Sequence, residues 1–166
     1  MSIVSKHDPE QSRPFLSSSP TNGKETIAEN WLAKNPYDLR YGDLHFYDYK
    51  MNGWEPSSFP LPRFMSEFGV QSLPSYATLS DVYNMPGDAG ILSDLNQHRQ
   101  HHDQGNQQII DEIQNNLNLP SLPDPVENFK SVILLSQINQ AMTLKTGSEH
   151  FRRNKASIDS TTGLGK

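Results

Sequence analysis

The strongest constraint in the chain is the start of one helix. Asp124-Pro125-Val126-Glu127 sets an N-cap residue before a proline at the first helical position and a glutamate at the third. Phe129, Val132, Ile133, Ile138, Ala141 and Met142 are the expected apolar side of the helix that follows. Before it, Leu119-Pro120-Ser121-Leu122-Pro123 ends an earlier helix that begins near Asn106, whose Ile109, Ile110, Ile113 and Leu117 recur at helical spacing. The C-terminal part of the chain must pack as helices, and their apolar sides need a partner.

That partner reads as strands. Residues 12–16 form a short strand-like run that ends in a cluster of turn formers, residues 17–23. One or two helical turns are expected over 27–33, stopped by Asn35-Pro36. If residues 43–49 are extended, alternation puts Asp43, His45, Tyr47 and Tyr49 on one face and Leu44 and Phe46 on the other. Such a face suits a substrate pocket, and equally an ordinary amphipathic strand facing solvent. A third run, Arg63-Phe64-Met65-Ser66-Glu67-Phe68-Gly69, sets one carboxylate among apolar and aromatic neighbours before a glycine able to turn tightly. From the residues alone, Glu67 is either a functional carboxylate or a solvent-facing strand-end residue.

Composition narrows the function classes. Fourteen Lys and Arg against nineteen Asp and Glu give a net charge of −5, with no basic run to neutralise phosphates, so a nucleic-acid partner is not expected. No stretch approaches the roughly 18 apolar residues of a membrane span, and the first residues lack the apolar run of a signal peptide. Without cysteine there is neither a disulfide framework nor a thiolate metal site. His98-Arg99-Gln100-His101-His102-Asp103 places two histidines one helical turn apart, but lacks the glutamate of a zinc-protease helix and a second cluster to supply a third ligand. No metal or cofactor is expected, and a polar loop near a pocket is the plainer reading.

Four stretches, in order, resemble the catalytic domain of animal β-mannosidases of glycoside hydrolase family 2. They are Arg13-Pro14-Phe15 with 18–23, Ala33-Lys34-Asn35-Pro36-Tyr37-Asp38, residues 42–49, and residues 62–72 with Pro74-Ser75. His98 to His102 with Gly105-Asn106, and Phe151-Arg152-Arg153, extend the resemblance over nearly all of the chain from Ser12 onward.

The resemblance implies an α/β fold: residues 12–166 as part of a (β/α)8 TIM barrel, roughly strands five to seven with their helices, after a poorly defined segment 1–11. It implies Glu67 as the catalytic nucleophile of the Ser-Glu-Phe-Gly motif, and His45, Tyr47 and Tyr49 as substrate-binding residues. Trp54, in the loop after the second strand, is a candidate for stacking on sugar. The implied activity is retaining hydrolysis of terminal, non-reducing β-D-mannose residues during glycoprotein breakdown, in lysosomes. The implied partners are β-mannoside oligosaccharides and the rest of the parent barrel. A complete barrel of this type needs roughly 250 residues, and no Asn-Glu pair of the kind that supplies the family's acid/base precedes Ser12. This chain alone is therefore expected to lack turnover, and the alternative is a non-catalytic remnant that binds sugar or a protein partner.

Overall fold

A computed structural model describes residues 2–10, 12, 16–41 and 43–155. The expected first strand, over 12–16, falls largely outside them. Elements follow in the order α1 (Ser2–His7), α2 (Lys24–Ala28), β1 (Leu44–Phe46), a 3₁₀ turn (Pro56–Ser58), β2 (Met65–Phe68), α3 (Tyr76–Ser80), α4 (Asp94–Arg99), α5 (Gly105–Gln114) and α6 (Pro125–Arg153). The architecture is a small mixed helix and strand assembly. Segment 1–11, where no defined element was expected, carries α1.

Helix α2 begins and ends earlier than its expected 27–33 span. Asn30 takes a left-handed conformation, φ 60°, while Trp31 N–H donates to Thr26 O and Asn30 N–H to Ile27 O. Those paired bonds form a Schellman stop, which consumes the last carbonyls of α2 and leaves Asn35-Pro36 nothing to terminate.

Strands β1 and β2 are parallel, with Leu44 opposite Met65, His45 opposite Glu67 and Phe46 opposite Phe68. Pairing stops at Phe46 and not at the expected Tyr49, because β2 itself ends at Phe68. Gly69 then turns with φ 156°, a conformation that strains any side chain. The register slips between Leu44 and His45, so the alternation expected over 43–49 holds only in part. Leu44 and Phe46 both enter a core with Phe59, Met65, Phe68 and Phe151. Asp43 departs from the expected face: it is buried, and its backbone pairs with Thr21. The crossover between the two strands holds the 3₁₀ turn and no α-helix.

Helix α6, 29 residues long and so about 43 Å from end to end, is the spine. Asp124 caps it as expected, its Oδ1 accepting from Val126 and Glu127 N–H. The Glu127 carboxylate takes the Lys130 ammonium at 2.7 Å instead of reaching back to the cap. Its first turns bury Phe129, Val132 and Ile133 against Leu73, Leu79, Tyr83, Ile91, Ile109 and Ile113. Its last turns deliver Phe151 to the sheet core, edge-on to Phe59 and Phe68 at 5.8 and 5.1 Å between ring centres.

Between these cores the buried side of α6 is Ser136, Asn139, Thr143 and Gly147, while Ile138 and Ala141 of the expected apolar side are exposed and Met142 is half-buried. The chain after β2 explains the reversal. It lies extended on α6, and its buried backbone groups must be paired. Ser136 Oγ accepts from Leu73 N–H, Gln137 donates to Leu73 O, and Gln140 donates to Val70 O. Polar side chains at helical spacing satisfy that loop, which isoleucine and alanine could not.

Gly147 lies where a Cβ would come within 2.6 Å of the Phe68 ring and 2.9 Å of the Phe59 ring. Both rings are packed on Phe151 and cannot retreat together. Gly147→Ala is expected to lower unfolding stability by about 1–3 kcal/mol, read by denaturant titration of the chain. A change smaller than a few tenths would show that this core repacks freely.

Candidate functional site

The end of β2 presents Glu67, its side chain 51% exposed. Parallel pairing sets His45 beside it, and the ring Nδ1 lies 3.5 Å from Glu67 Oε2. The other ring nitrogen, Nε2, is 2.8 Å from Ser19 Oγ. The imidazole thus sits between the serine hydroxyl and the carboxylate, one ring nitrogen toward each.

Beyond the strand, the Tyr47 hydroxyl donates to the same Glu67 oxygen at 3.3 Å. Burial first, and then the adjacent Glu67 charge and hydrogen bond, push the Tyr47 pKa up, so the phenol keeps the proton it donates. Tyr49 stacks on Tyr47 at 6.5 Å, and its far side meets the His102 ring at 4.6 Å. One continuous row thus joins Ser19, His45, Glu67, Tyr47, Tyr49 and His102.

Trp54 is held differently. Its indole Nε1–H donates to Asn139 Oδ1 of α6 at 3.0 Å, and its backbone N–H is held by Asn52. The adjacent Gly53 packs directly on Thr143, where a Cβ would overlap the threonine side chain. The helix, and not the strand pair, therefore fixes the pose of Trp54.

Helix α4 ends at Arg99, so His98 and His102 do not share a helical face as a metal pair would need. Among the described residues no group of three or more His, Asp or Glu is placed to hold a metal ion. Gln100 instead organises the loop: it accepts from His102 N–H and donates to Gln71 Oε1 and Asn106 Oδ1. A hollow of about 600 Å³ is lined by Gln97, Gln100, His101, His102 and Gln104. It does not include Glu67, whose carboxylate is half-exposed.

Three residues of this region were not singled out from the sequence. Ser19 lay within the serine-rich turn, but nothing in that turn pointed to His45. Asn139 and Glu112 are buried on helices, and polar residues on a helix ordinarily mark its solvated side. Glu112 did carry one signal: it follows Ile109 by three positions, on the buried stripe of α5.

A carboxylate gripped by histidine and tyrosine, beside aromatic rings and at the end of parallel strands, suits a segment of a glycosidase domain. No protein-family profile matches the chain. Curated relatives do. Bovine β-mannosidase is 46% identical over 149 residues, which span 90% of this chain and 17% of that protein. The rat β-mannosidase is 44% identical over the same shares, and a probable β-mannosidase of Caenorhabditis elegans is 37% identical over 92% of this chain and 18% of its own length. Over most of its length the chain is thus similar to one segment of these β-mannosidases. It spans about one sixth of the length of these relatives. No helix of the described residues is long and apolar enough to cross a membrane.

Proposed function

We propose that this chain corresponds to the nucleophile-bearing segment of a retaining β-mannosidase of glycoside hydrolase family 2. The intact enzyme releases terminal, non-reducing β-D-mannose from oligosaccharides during glycoprotein catabolism, in lysosomes. Residues 12–166 correspond to strands five to seven of a (β/α)8 barrel, and 1–11 lie outside it. The parallel pairing of β1 with β2 supports that assignment, as do His45, Glu67 and Tyr47 gathered at the C-terminal ends of the strands, the side on which such barrels hold their sites.

The observation that carries the reading is the Glu67 carboxylate, held by Tyr47 O–H at 3.3 Å and faced by His45 Nδ1 at 3.5 Å. Glu67 attacks the anomeric carbon as the leaving oxygen departs, forming a glycosyl ester. Water then cleaves that ester and restores the β configuration. The leaving oxygen needs a proton from a second carboxyl about 5–5.5 Å away, a role proposed for a residue of the rest of the barrel. Tyr47 and His45 hold Glu67 in place for attack, while Tyr49 and Trp54 offer ring faces to the sugar.

Hydrolysis of an aryl β-mannoside by the intact enzyme, with product configuration followed by proton NMR, tests the reading. Release of β-mannose first supports it, and inversion or no turnover would sink it. Tyr47→Phe removes one hydrogen bond to a charged group and is expected to lower kcat about tenfold. An unchanged kcat would show that the phenol does not assist Glu67.

A further inference from the structure

Beneath the loop that follows β1 lies a carboxyl that the proposed chemistry does not use. Glu112 is only 4% exposed. Its Oε2 accepts from Asn139 Nδ2 at 3.4 Å, and its Oε1 is shut off from solvent with no hydrogen-bond partner. The same Asn139 uses its carbonyl oxygen to accept the Trp54 indole N–H at 3.0 Å. One amide thus reads Glu112 with its nitrogen and Trp54 with its oxygen, so the two bonds fix its orientation together.

We propose that Glu112 is a positioning residue for the sugar-facing loop, setting the pose of Trp54 through Asn139 and forming the floor beneath Tyr49. The inference rests on the reading of Trp54 and Tyr49 as substrate-facing, but the contacts themselves do not depend on any activity.

The surroundings make this pose depend on a proton. On its own helix Glu112 has Asp111 next to it and Gln108 one turn earlier, whose Oε1 is also buried without a partner. From the loop after β1, Asp48, Tyr49 and Lys50 face the same region; Tyr49 and Lys50 line a cavity of about 380 Å³ together with Glu112, Asp111 and Gln108. From α6 the facing group is the neutral Asn139. Burial, then the like charges of Asp111 and Asp48, raise the Glu112 pKa to about 8. Burial and the nearby Glu112 also raise that of Tyr49.

At neutral and acidic pH Glu112 is therefore a neutral acid that can stay buried. Once ionised it would carry charge on an oxygen that no donor reaches, beside two other carboxylates. Its escape is outward, toward the cavity. That movement removes the acceptor of Asn139 Nδ2, frees the amide to turn and releases the Trp54 indole. The closed pose belongs to the protonated form.

Trp54 reports on this directly, because the chain has only two tryptophans and the other, Trp31, is 56% exposed. In the 166-residue chain carrying Trp31→Phe, the single indole N–H resonance is followed by ¹H–¹⁵N NMR from pH 5 to 9.5. A shift with a midpoint near 8 is expected. Glu112→Gln keeps the size and the acceptor but cannot ionise, so it should hold the acid-form resonance throughout. Asp48→Asn, which leaves Glu112 in place and removes one like charge, should move the midpoint to lower pH. An indole resonance at the unfolded position, one that does not respond to pH, or a transition that persists in Glu112→Gln would overturn the proposal, as would an unmoved midpoint in Asp48→Asn. No arm involves a mannoside, so a failure here is distinct from a failure of the glycosidase reading.

Discussion

In the intact enzyme proposed above, Glu67→Ala is expected to abolish turnover, with Glu67→Gln nearly as damaging. Glutamine fills the same space beside His45 and Tyr47, and the Tyr47 hydroxyl can still donate to its oxygen. The amide is a feeble nucleophile, however, and cannot balance the positive charge of an oxocarbenium-like transition state. Both contributions of the carboxylate disappear together, and similar shape restores neither.

A small anion distinguishes the role of the residue from its mere importance. Azide or formate can enter the space left by Glu67→Ala and attack an activated β-mannoside from the same face. One displacement inverts the anomeric centre, so the expected product has the α configuration. Were Glu67 the acid/base, the true nucleophile would remain elsewhere, the anion would perform the second displacement, and the product would keep the β configuration. A β-product would reassign the residue.

How much of this was legible in the sequence depends on the range of the interaction. The Asp124 cap is local: one carboxylate oxygen meets N–H groups two and three residues on, and four consecutive residues specify it. The strand bearing Glu67 was legible for the same reason, bounded by prolines and Gly69. The middle of α6 was not. Its buried side is polar because Val70, Ser72 and Leu73, 63 to 70 residues earlier, lay their polar groups on it, and no periodicity within the helix can announce a partner so distant. The length of β1 likewise depends on where β2 ends. Glu112 fails for a third reason: its spacing placed it on the buried stripe of α5, but its chemistry argued for solvent, and only the amide of Asn139 and the protonated form reconcile the two.

That buried acid gives the chain a stability that should fall as pH rises. In the unfolded chain Glu112 titrates near the ordinary glutamate value of 4.5, and in the folded chain at about 8. Between those values the folded form holds a proton that the unfolded form has lost, so the slope of unfolding free energy against pH is negative there. The contribution is fully present below pH 4.5, declines up to about 8 and is flat above it. At about 1.4 kcal/mol per unit, the total is on the order of 3–5 kcal/mol, comparable with the whole stability of a small domain. Denaturant titrations of the wild-type chain and Glu112→Gln across pH 4 to 9 isolate it, because histidines and surface carboxylates contribute equally to both curves and cancel in their difference. The difference should favour the wild type increasingly toward acid, with its change confined to the interval between the two titrations. Parallel curves would mean that Glu112 titrates in the folded chain as it does in the unfolded one. The gain lies at acid pH, where protonation weakens ordinary surface ion pairs but leaves this buried contact intact.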